Sequence, residues 1–99
     1  MATNKLTDAI IKNAKPSGSE YTLGDGGGLY LKIKPNGSKN WVFRYTRPII
    51  GGVTNMGLGL YPDVSLADAR RAAQEARELK AKSIDPQLER KARVSAERH

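Results

Sequence analysis

The chain has 99 residues, a net charge of +7 and 38% hydrophobic residues, which predicts one domain with a small core rather than an enzyme with a large pocket. It contains no cysteine, which excludes disulfides and thiolate metal sites. No apolar run approaches the roughly 20 residues of a membrane span, and the N-terminus lacks the apolar core of a signal peptide. We therefore expect a cytoplasmic protein with no membrane partner.

The N-terminal part of the chain predicts a short helix followed by a glycine-rich turn. In LTDAIIKNAKP, Thr7 can cap the helix and the Lys15–Pro16 pair ends it. Residues 21–23 can add a short edge strand. The next residues, GDGGG, resemble a phosphate-binding loop, but they match neither the dinucleotide nor the P-loop spacing, and a strand follows them instead of a helix. We expect these glycines to allow positive φ in a tight turn, and Asp25 to bind nearby backbone amides.

Two alternating segments predict an antiparallel hairpin. In residues 29–34 and 40–46 the odd-numbered residues are apolar, which is the period of half-buried strands. Because directly opposed residues share a face, we pair Ile33 with Trp41, which sets Tyr30 opposite Arg44 and leaves residues 35–39 as a five-residue loop. A third strand is expected at residues 53–60, with Met56 facing the core.

The C-terminal half predicts helices. Ser65 and Asp68 form a capping-box pattern before a helix over residues 66–82, whose apolar stripe at helical spacing consists of Leu66, Ala69, Ala73, Ala76 and Leu79. A further, more polar helix begins at Asp85 and Pro86. The predicted fold is α+β: a three-stranded antiparallel sheet, with the short edge strand as an addition, packed on one main C-terminal helix and preceded by a short N-terminal helix.

The distribution of charge indicates a polyanionic partner. Residues 26–62 contain five basic residues and no acidic residue, a pattern typical of nucleic-acid binding. Arg44 is the main candidate for reading base edges, with Asn40 and Asn55 as further ones. Phosphate contacts are expected from four cations: Lys32, Lys34, Lys39 and Arg47. For Tyr30 two roles are open, stacking on Arg44 or a hydrogen bond to a phosphate. The alternative is a basic module that binds a protein or RNA through the same face, although the aromatic pattern of RNA-recognition motifs is absent.

No catalytic residue, cofactor or metal site is predicted. The only histidine is His99, so a histidine-based triad or a histidine zinc site has no candidate ligands. The serines and tyrosines have no evident base to activate them. Enzymatic activity is therefore not expected from this chain.

Several motifs resemble one family in their order along the chain. LTD, DGGGLYLKIKPNGSKNWVFRYTR, LGLYPDVSLADAR and IDP resemble the N-terminal domain of tyrosine-recombinase integrases of the prophage and genomic-island group. The resemblance implies an arm-type DNA-binding domain over residues 1–83, whose sheet enters the major groove at arm-type attachment sites. It gives this role, by position on the strands, to Lys32, Lys34, Arg44 and Thr46.

The same resemblance implies partners beyond double-stranded DNA. Residues 84–99 would be a helical linker toward core-binding and catalytic domains, and other integrase protomers on the DNA are candidate partners. The catalytic tyrosine of such enzymes, with its Arg, His and Lys partners, has no match here. The chain also departs from the family in the turn PIIGGVTN, which lacks the basic residues that related sequences often carry there.

Overall fold

A computed structural model describes residues 5–97 of the chain. Its elements, in chain order, are α1 (Asp8–Asn13), β1 (Tyr21–Gly26), β2 (Leu29–Ile33), β3 (Lys39–Thr46), β4 (Val53–Tyr61), α2 (Leu66–Ala81) and α3 (Pro86–Glu97). Residues 1–4 and 98–99, the outer ends of the two predicted segments 1–83 and 84–99, lie outside the described residues. None of these three helices combines the length and apolar content needed to cross a bilayer.

The predicted α+β architecture is confirmed. The sheet is antiparallel and has four strands in the order β1-β2-β3-β4. The fourth member is the edge strand expected at residues 21–23, which extends to Gly26 and pairs with β2. The sheet therefore has one more full strand than the three that alternation alone indicated.

The register between β2 and β3 differs from the predicted one by two residues. Leu31 lies opposite Trp41 and Leu29 opposite Phe43, so the predicted pairing of Ile33 with Trp41 is wrong. The cause is the turn: the Gly37 amide donates to the Lys34 carbonyl at 2.9 Å, and the Lys34 amide donates to the Ser38 carbonyl at 3.0 Å. With Gly37 at φ 92°, this is a three-residue hairpin loop with a left-handed glycine. Because the shift is even, every side chain keeps its predicted face.

The core lies between one face of the sheet and α2. Ser65 caps α2 by accepting a hydrogen bond from the Asp68 amide at 3.1 Å, as the sequence predicted. The small side chains of Ala69, Ala73 and Ala76 are buried, which lets the helix approach the large aromatic residues of β3. The buried cluster consists of Leu6, Ile11, Leu29, Leu31, Ile33, Trp41, Phe43, Tyr45, Met56, Leu66, Ala69, Ala73 and Ala76.

Asp25 links three parts of the fold instead of closing a local turn. Its carboxylate accepts from the Leu6 amide at 2.8 Å and from two nitrogens of Arg70, each at 2.9 Å. The expected bonds to nearby amides are therefore wrong, because the fold brings Leu6 and α2 to the end of β1. Burial by itself would raise the pKa of Asp25, but the hydrogen bonds from Arg70 and Leu6 outweigh burial and hold that pKa below its ordinary value.

The glycine cluster forms the turn between β1 and β2. Gly27 and Gly28 have φ of 63° and 92°, the backbone conformation that a tight two-residue hairpin turn requires and that glycine adopts at little cost. The carbonyl of Gly27 accepts a hydrogen bond from Arg77 at 2.9 Å. The carbonyl of Gly28 accepts one from the Arg44 amide at 2.8 Å. This part of the sequence therefore serves the sheet, as predicted.

Replacing Gly28 by alanine is expected to lower the free energy of unfolding by about 2 kcal/mol or more. The left-handed backbone costs roughly 1–2 kcal/mol for a residue with a side chain, and the added Cβ would lie only 2.5 Å from the Arg44 carbonyl oxygen. Urea denaturation measures the loss. Gly24→Ala is the matched control, since no atom lies within 4 Å of a Cβ there, and we expect a change within about 1 kcal/mol. Equal losses for the two variants would contradict this account.

Candidate nucleic-acid interface

The sheet has a second face that points away from α2, and we call it the outward face. Antiparallel register places its side chains in rows that cross the strands. Lys32, Asn40 and Leu60 form one row, and Tyr30, Val42 and Gly57 form the next. Arg44 and Asn55 form a third, and Thr46 and Val53 the last. Seven of the nine residues predicted to bind DNA lie on or beside this face: Tyr30, Lys32, Lys34, Asn40, Arg44, Thr46 and Asn55.

Arg44 lies on β3 with its side chain exposed. Its backbone is fixed by the hydrogen bond to Gly28 on one side and by pairing with Asn55 on the other. No hydrogen bond or ion pair involves its guanidinium within the part of the chain that the structure describes. The predicted neighbour, Tyr30, lies opposite Val42 instead, because of the two-residue register shift. Arg44 and Asn55 thus present guanidinium and amide groups side by side.

The cations of the outward face lie on and just beyond β2. Lys32 has its Nζ 3.9 Å from a carboxylate oxygen of Glu20, a distance at which a surface ion pair contributes little. Lys34 is exposed at the start of the hairpin loop. Tyr30 lies between Gly24 and Val42, so one of its neighbours has no side chain. Because it carries Lys32 and Lys34, the β2 side of the outward face is positively charged.

Asn40 stands next to Lys32 and Leu60 and has an unusual environment. Its Nδ2 is buried and has no hydrogen-bond partner among the described residues. Buried donors are ordinarily paired in folded proteins. Asn40 also lines a shallow groove of about 310 Å³ on the outward face, together with Asn55, Gly57 and Leu60.

Lys39 lies on the opposite face of the sheet from Arg44. Its Nζ donates to the Ile11 carbonyl at 2.7 Å and lies 5.8 Å from the centre of the Tyr61 ring. Alternation along the strand already indicates this position, since Lys39 is odd-numbered like the core-facing residues of β3. The structure thus separates Lys39 from the other predicted DNA contacts and uses it to hold α1 against the sheet.

Arg47 is also engaged away from the outward face. Its Nε donates to Asp85 at 2.7 Å, and its side chain is 34% exposed. The hydroxyl of Tyr45 donates to the same carboxylate, and Gln87 bonds the Tyr45 hydroxyl at 3.0 Å. Burial would raise the pKa of Asp85, but the hydrogen bonds from Tyr45, Arg47 and the Gln87 amide hold it below its ordinary value. The residues that begin α3 are thereby tied to the end of β3.

Two apolar residues of this face, Val53 and Leu60, are not among those that the sequence predicts to bind DNA. Leu60 has the same parity as the inward-facing Met56 and Leu58, which suggests that it points to the core. A β-bulge changes this: Trp41 pairs with Gly59 while Val42 pairs with Gly57, which leaves Leu58 as the extra residue. The two glycines around Leu58 were the signal in the sequence, since glycine within a strand often marks a bulge.

Comparison with known proteins finds a family model and several relatives that match most of the chain. A family model described as an arm DNA-binding domain matches residues 6–93. Prophage integrase IntA of Escherichia coli (strain K12) is 51% identical over 92 residues, which cover 93% of this chain and 22% of that protein. The integrase of Enterobacteria phage P4 is 39% identical over 87 residues, 88% of this chain and 20% of that protein. The chain therefore spans about a fifth of the length of the curated relatives it matches.

Proposed function

The chain belongs to the family of arm DNA-binding domains, and from that premise we propose that it binds double-stranded DNA sequence-specifically by placing the outward face in the major groove. The observation that carries the proposal is the pair formed by Arg44 and Asn55. Their side chains are exposed next to each other on a face that has Lys32 on one side. Residues 26–62 contribute no carboxylate that would repel phosphate.

The dimensions of the sheet support this geometry. A major groove about 12 Å wide admits a two-stranded ribbon. Strands β3 and β4 form such a ribbon, with eight and nine residues, and neighbouring strands lie about 4.8 Å apart. This ribbon carries Arg44 and Asn55, the exposed side chains whose chemistry suits base edges.

The residues of the face have different roles in the proposal. Arg44 forms the bidentate contact to guanine, and Asn55 reads adenine. Asn40 is left out of the base contacts, because its Nδ2 is buried and a bidentate contact to adenine needs that donor. The phosphate contacts are made by two lysines and two hydroxyl groups, namely by Lys32, Lys34, Tyr30 and Thr46. Lys39 and Arg47 are left out of this set because their side chains hold α1 and Asp85.

The length of the relatives supports a wider proposal. They are integrases, and the matched region is about a fifth of each. We therefore place this domain at arm-type attachment sites in bacterial DNA, where it serves site-specific recombination by a longer integrase. The partners are the remaining integrase domains, reached through the segment that begins near residue 84, and other protomers on the same DNA. Catalysis belongs to the remaining domains.

A salt titration on duplex DNA tests the binding proposal. If about four phosphates are engaged, the log–log slope of affinity against salt should be near −3.6, so affinity should fall roughly 100-fold between 50 and 200 mM. Fluorescence anisotropy with a labelled duplex measures this. A flat salt response would refute duplex binding. Tighter binding to single-stranded or duplex RNA of the same sequence would instead favour the RNA-binding alternative.

Replacing Lys32 by alanine is expected to weaken binding to all duplexes alike and to reduce the salt slope by about 1. The reason is that a phosphate contact carries no sequence information. Lys80→Ala removes the same charge from an exposed position at the end of α2 and is the matched control. A change of base preference in the Lys32 variant, with an unchanged salt slope, would assign Lys32 to the bases instead.

A further inference from the structure

We propose, on the basis of the DNA-binding function proposed above, that β4 is the strand nearest the bases and that Val53 and Leu60 contact the 5-methyl groups of thymines. The preferred ligand is then a duplex with A·T pairs at defined positions. Contacts to thymine methyl groups would come in addition to the reading of guanine by Arg44 and of adenine by Asn55. It concerns residues that are neither charged nor hydrogen-bonding.

The outward face is divided by charge across its strands. The β2 side carries Lys32 and Lys34, whereas the outward side chains of β4 carry no charge at all. These are Val53, Asn55, Gly57 and Leu60. A strand that follows the DNA backbone needs cations for phosphates, whereas a strand that faces base edges needs hydrogen-bonding and apolar groups. The division therefore orients the sheet, with β2 along one phosphate backbone and β4 over the floor of the groove.

The exposure of the apolar side chains on β4 fits this orientation. Val53 is 60% exposed and Leu60 is 48% exposed, whereas Val42 in the middle of the face is only 7% exposed. Single exposed apolar residues are common on protein surfaces. Val53 and Leu60 differ from such isolated residues because both lie among polar side chains of the outward face. Leu60 lies opposite Asn40, and Val53 lies in the row next to Asn55. Val53 therefore accompanies an amide that can read adenine, and Leu60 lies in the row that carries Lys32.

The chemistry of the A·T pair matches this combination. In the major groove, adenine offers N7 and the N6 amino group, and thymine offers O4 and the only methyl group among the bases. Val53 and Asn55 are two residues apart on one face, or roughly 7 Å, which is about two base-pair steps of 3.4 Å. Gly57 has no side chain between Asn55 and Leu60, and this gives the bases room to approach β4. The four positions together read methyl groups and adenine edges.

The test uses deoxyuridine, which is thymidine without the methyl group. A preferred duplex is first selected from a random duplex pool with the wild-type chain. Each of its thymines is then replaced singly by deoxyuridine, and affinity is measured for wild type, Val53→Ala and Leu60→Ala. Ile50→Ala is the control, since Ile50 is exposed at the β3–β4 turn and lies outside the face.

For Val53 and for Leu60, we expect at least one thymine whose replacement by deoxyuridine weakens wild-type binding by about fourfold. That factor corresponds to burying one methylene-sized group. The same deoxyuridine replacement should have no effect on binding by the alanine variant that lacks the contacting side chain. The Ile50→Ala variant should respond to each replacement as the wild type does. The inference is overturned if the selected duplex contains no thymine, if no deoxyuridine weakens wild-type binding, or if the losses persist in both variants. In those cases salt-dependent duplex binding would leave the proposed function standing, whereas an absence of duplex binding would refute both.

Discussion

Replacing Arg44 by alanine is expected to reduce the discrimination between the preferred duplex and random DNA by about 1–3 kcal/mol. A bidentate contact to guanine is worth about 1–3 kcal/mol of discrimination, so affinity for the preferred duplex should fall by about 5- to 150-fold. Random DNA should lose much less, because only one positive charge is removed. The guanidinium is free to make this contact, since no hydrogen bond or ion pair involves it among the described side chains of residues 5–92. Competition binding against the selected duplex and against random DNA measures both losses.

The control for this prediction is Arg71→Ala. Arg71 is 69% exposed on α2, where its one ion pair is with Asp68 at 3.3 Å, and α2 covers the other side of the sheet. The net charge changes by the same amount, so any general electrostatic effect is matched. Equal losses on preferred and random DNA for Arg44→Ala would refute its assignment as a base reader. A loss no larger than that of Arg71→Ala would refute a contact altogether.

Replacing Asp25 by alanine is expected to lower the stability of the domain much more than replacing the exposed Asp68. The carboxylate is buried and binds the Leu6 amide and Arg70. Its removal leaves a backbone donor and a guanidinium without their partner. Breaking a buried pair costs about 3–5 kcal/mol, and we expect about 3 kcal/mol because Arg70 is partly exposed. For a domain of this size the melting temperature should fall by roughly 12–24 °C.

Asp68→Ala is the control for Asp25→Ala. Asp68 pairs with Arg71 on the exposed side of α2, and surface pairs of this kind contribute about 0–1 kcal/mol. The two variants remove the same group, and thermal denaturation compares them directly. If the melting temperature of Asp25→Ala fell no more than that of Asp68→Ala, the contacts that Asp25 makes between residues 5–6, β1 and α2 would not stabilise the domain.

Acid provides a second measurement of the same group. Because the pKa of Asp25 is lowered in the folded state, its contribution to stability is present above its unfolded-state pKa, near 3.8. It is lost as the pH falls through the lower folded-state value. Between about pH 5 and pH 2 the melting temperature of Asp25→Asn should therefore fall less steeply than that of the wild type. Asp85, whose pKa is also lowered, keeps the slope from vanishing. If the melting temperatures of the wild type and Asp25→Asn fell equally steeply with pH, a lowered folded-state pKa of Asp25 would be contradicted.

The sequence predicts the face on which a strand residue lies, because odd-numbered and even-numbered residues of a strand point to opposite faces. Alternation in residues 29–34 and 40–46 puts Tyr30, Lys32 and Arg44 on one face, and the structure keeps them there although the register is shifted by two residues. The turn at Pro35, Asn36 and Gly37 was harder to predict, because a three-residue and a five-residue loop both contain an Asn-Gly pair. The choice between them determined that Tyr30 lies opposite Val42 and that Gly28, not Tyr30, lies beside Arg44 on the β2 side.

By itself, the sequence determined the α+β class, the inward and outward faces of β2 and β3, the cap of α2 and the glycine turn, because each depends on residues that are close along the chain. Only the tertiary structure decided the partners of Asp25, the engagement of Lys39 and Arg47, and the outward position of Leu60. Those features join segments that lie far apart in the chain, as in the bond between Arg70 and Asp25, or follow from a bulge fitted against a neighbouring strand. Local propensity cannot predict which long side chain will meet a buried carboxylate, since packing of whole elements determines that contact.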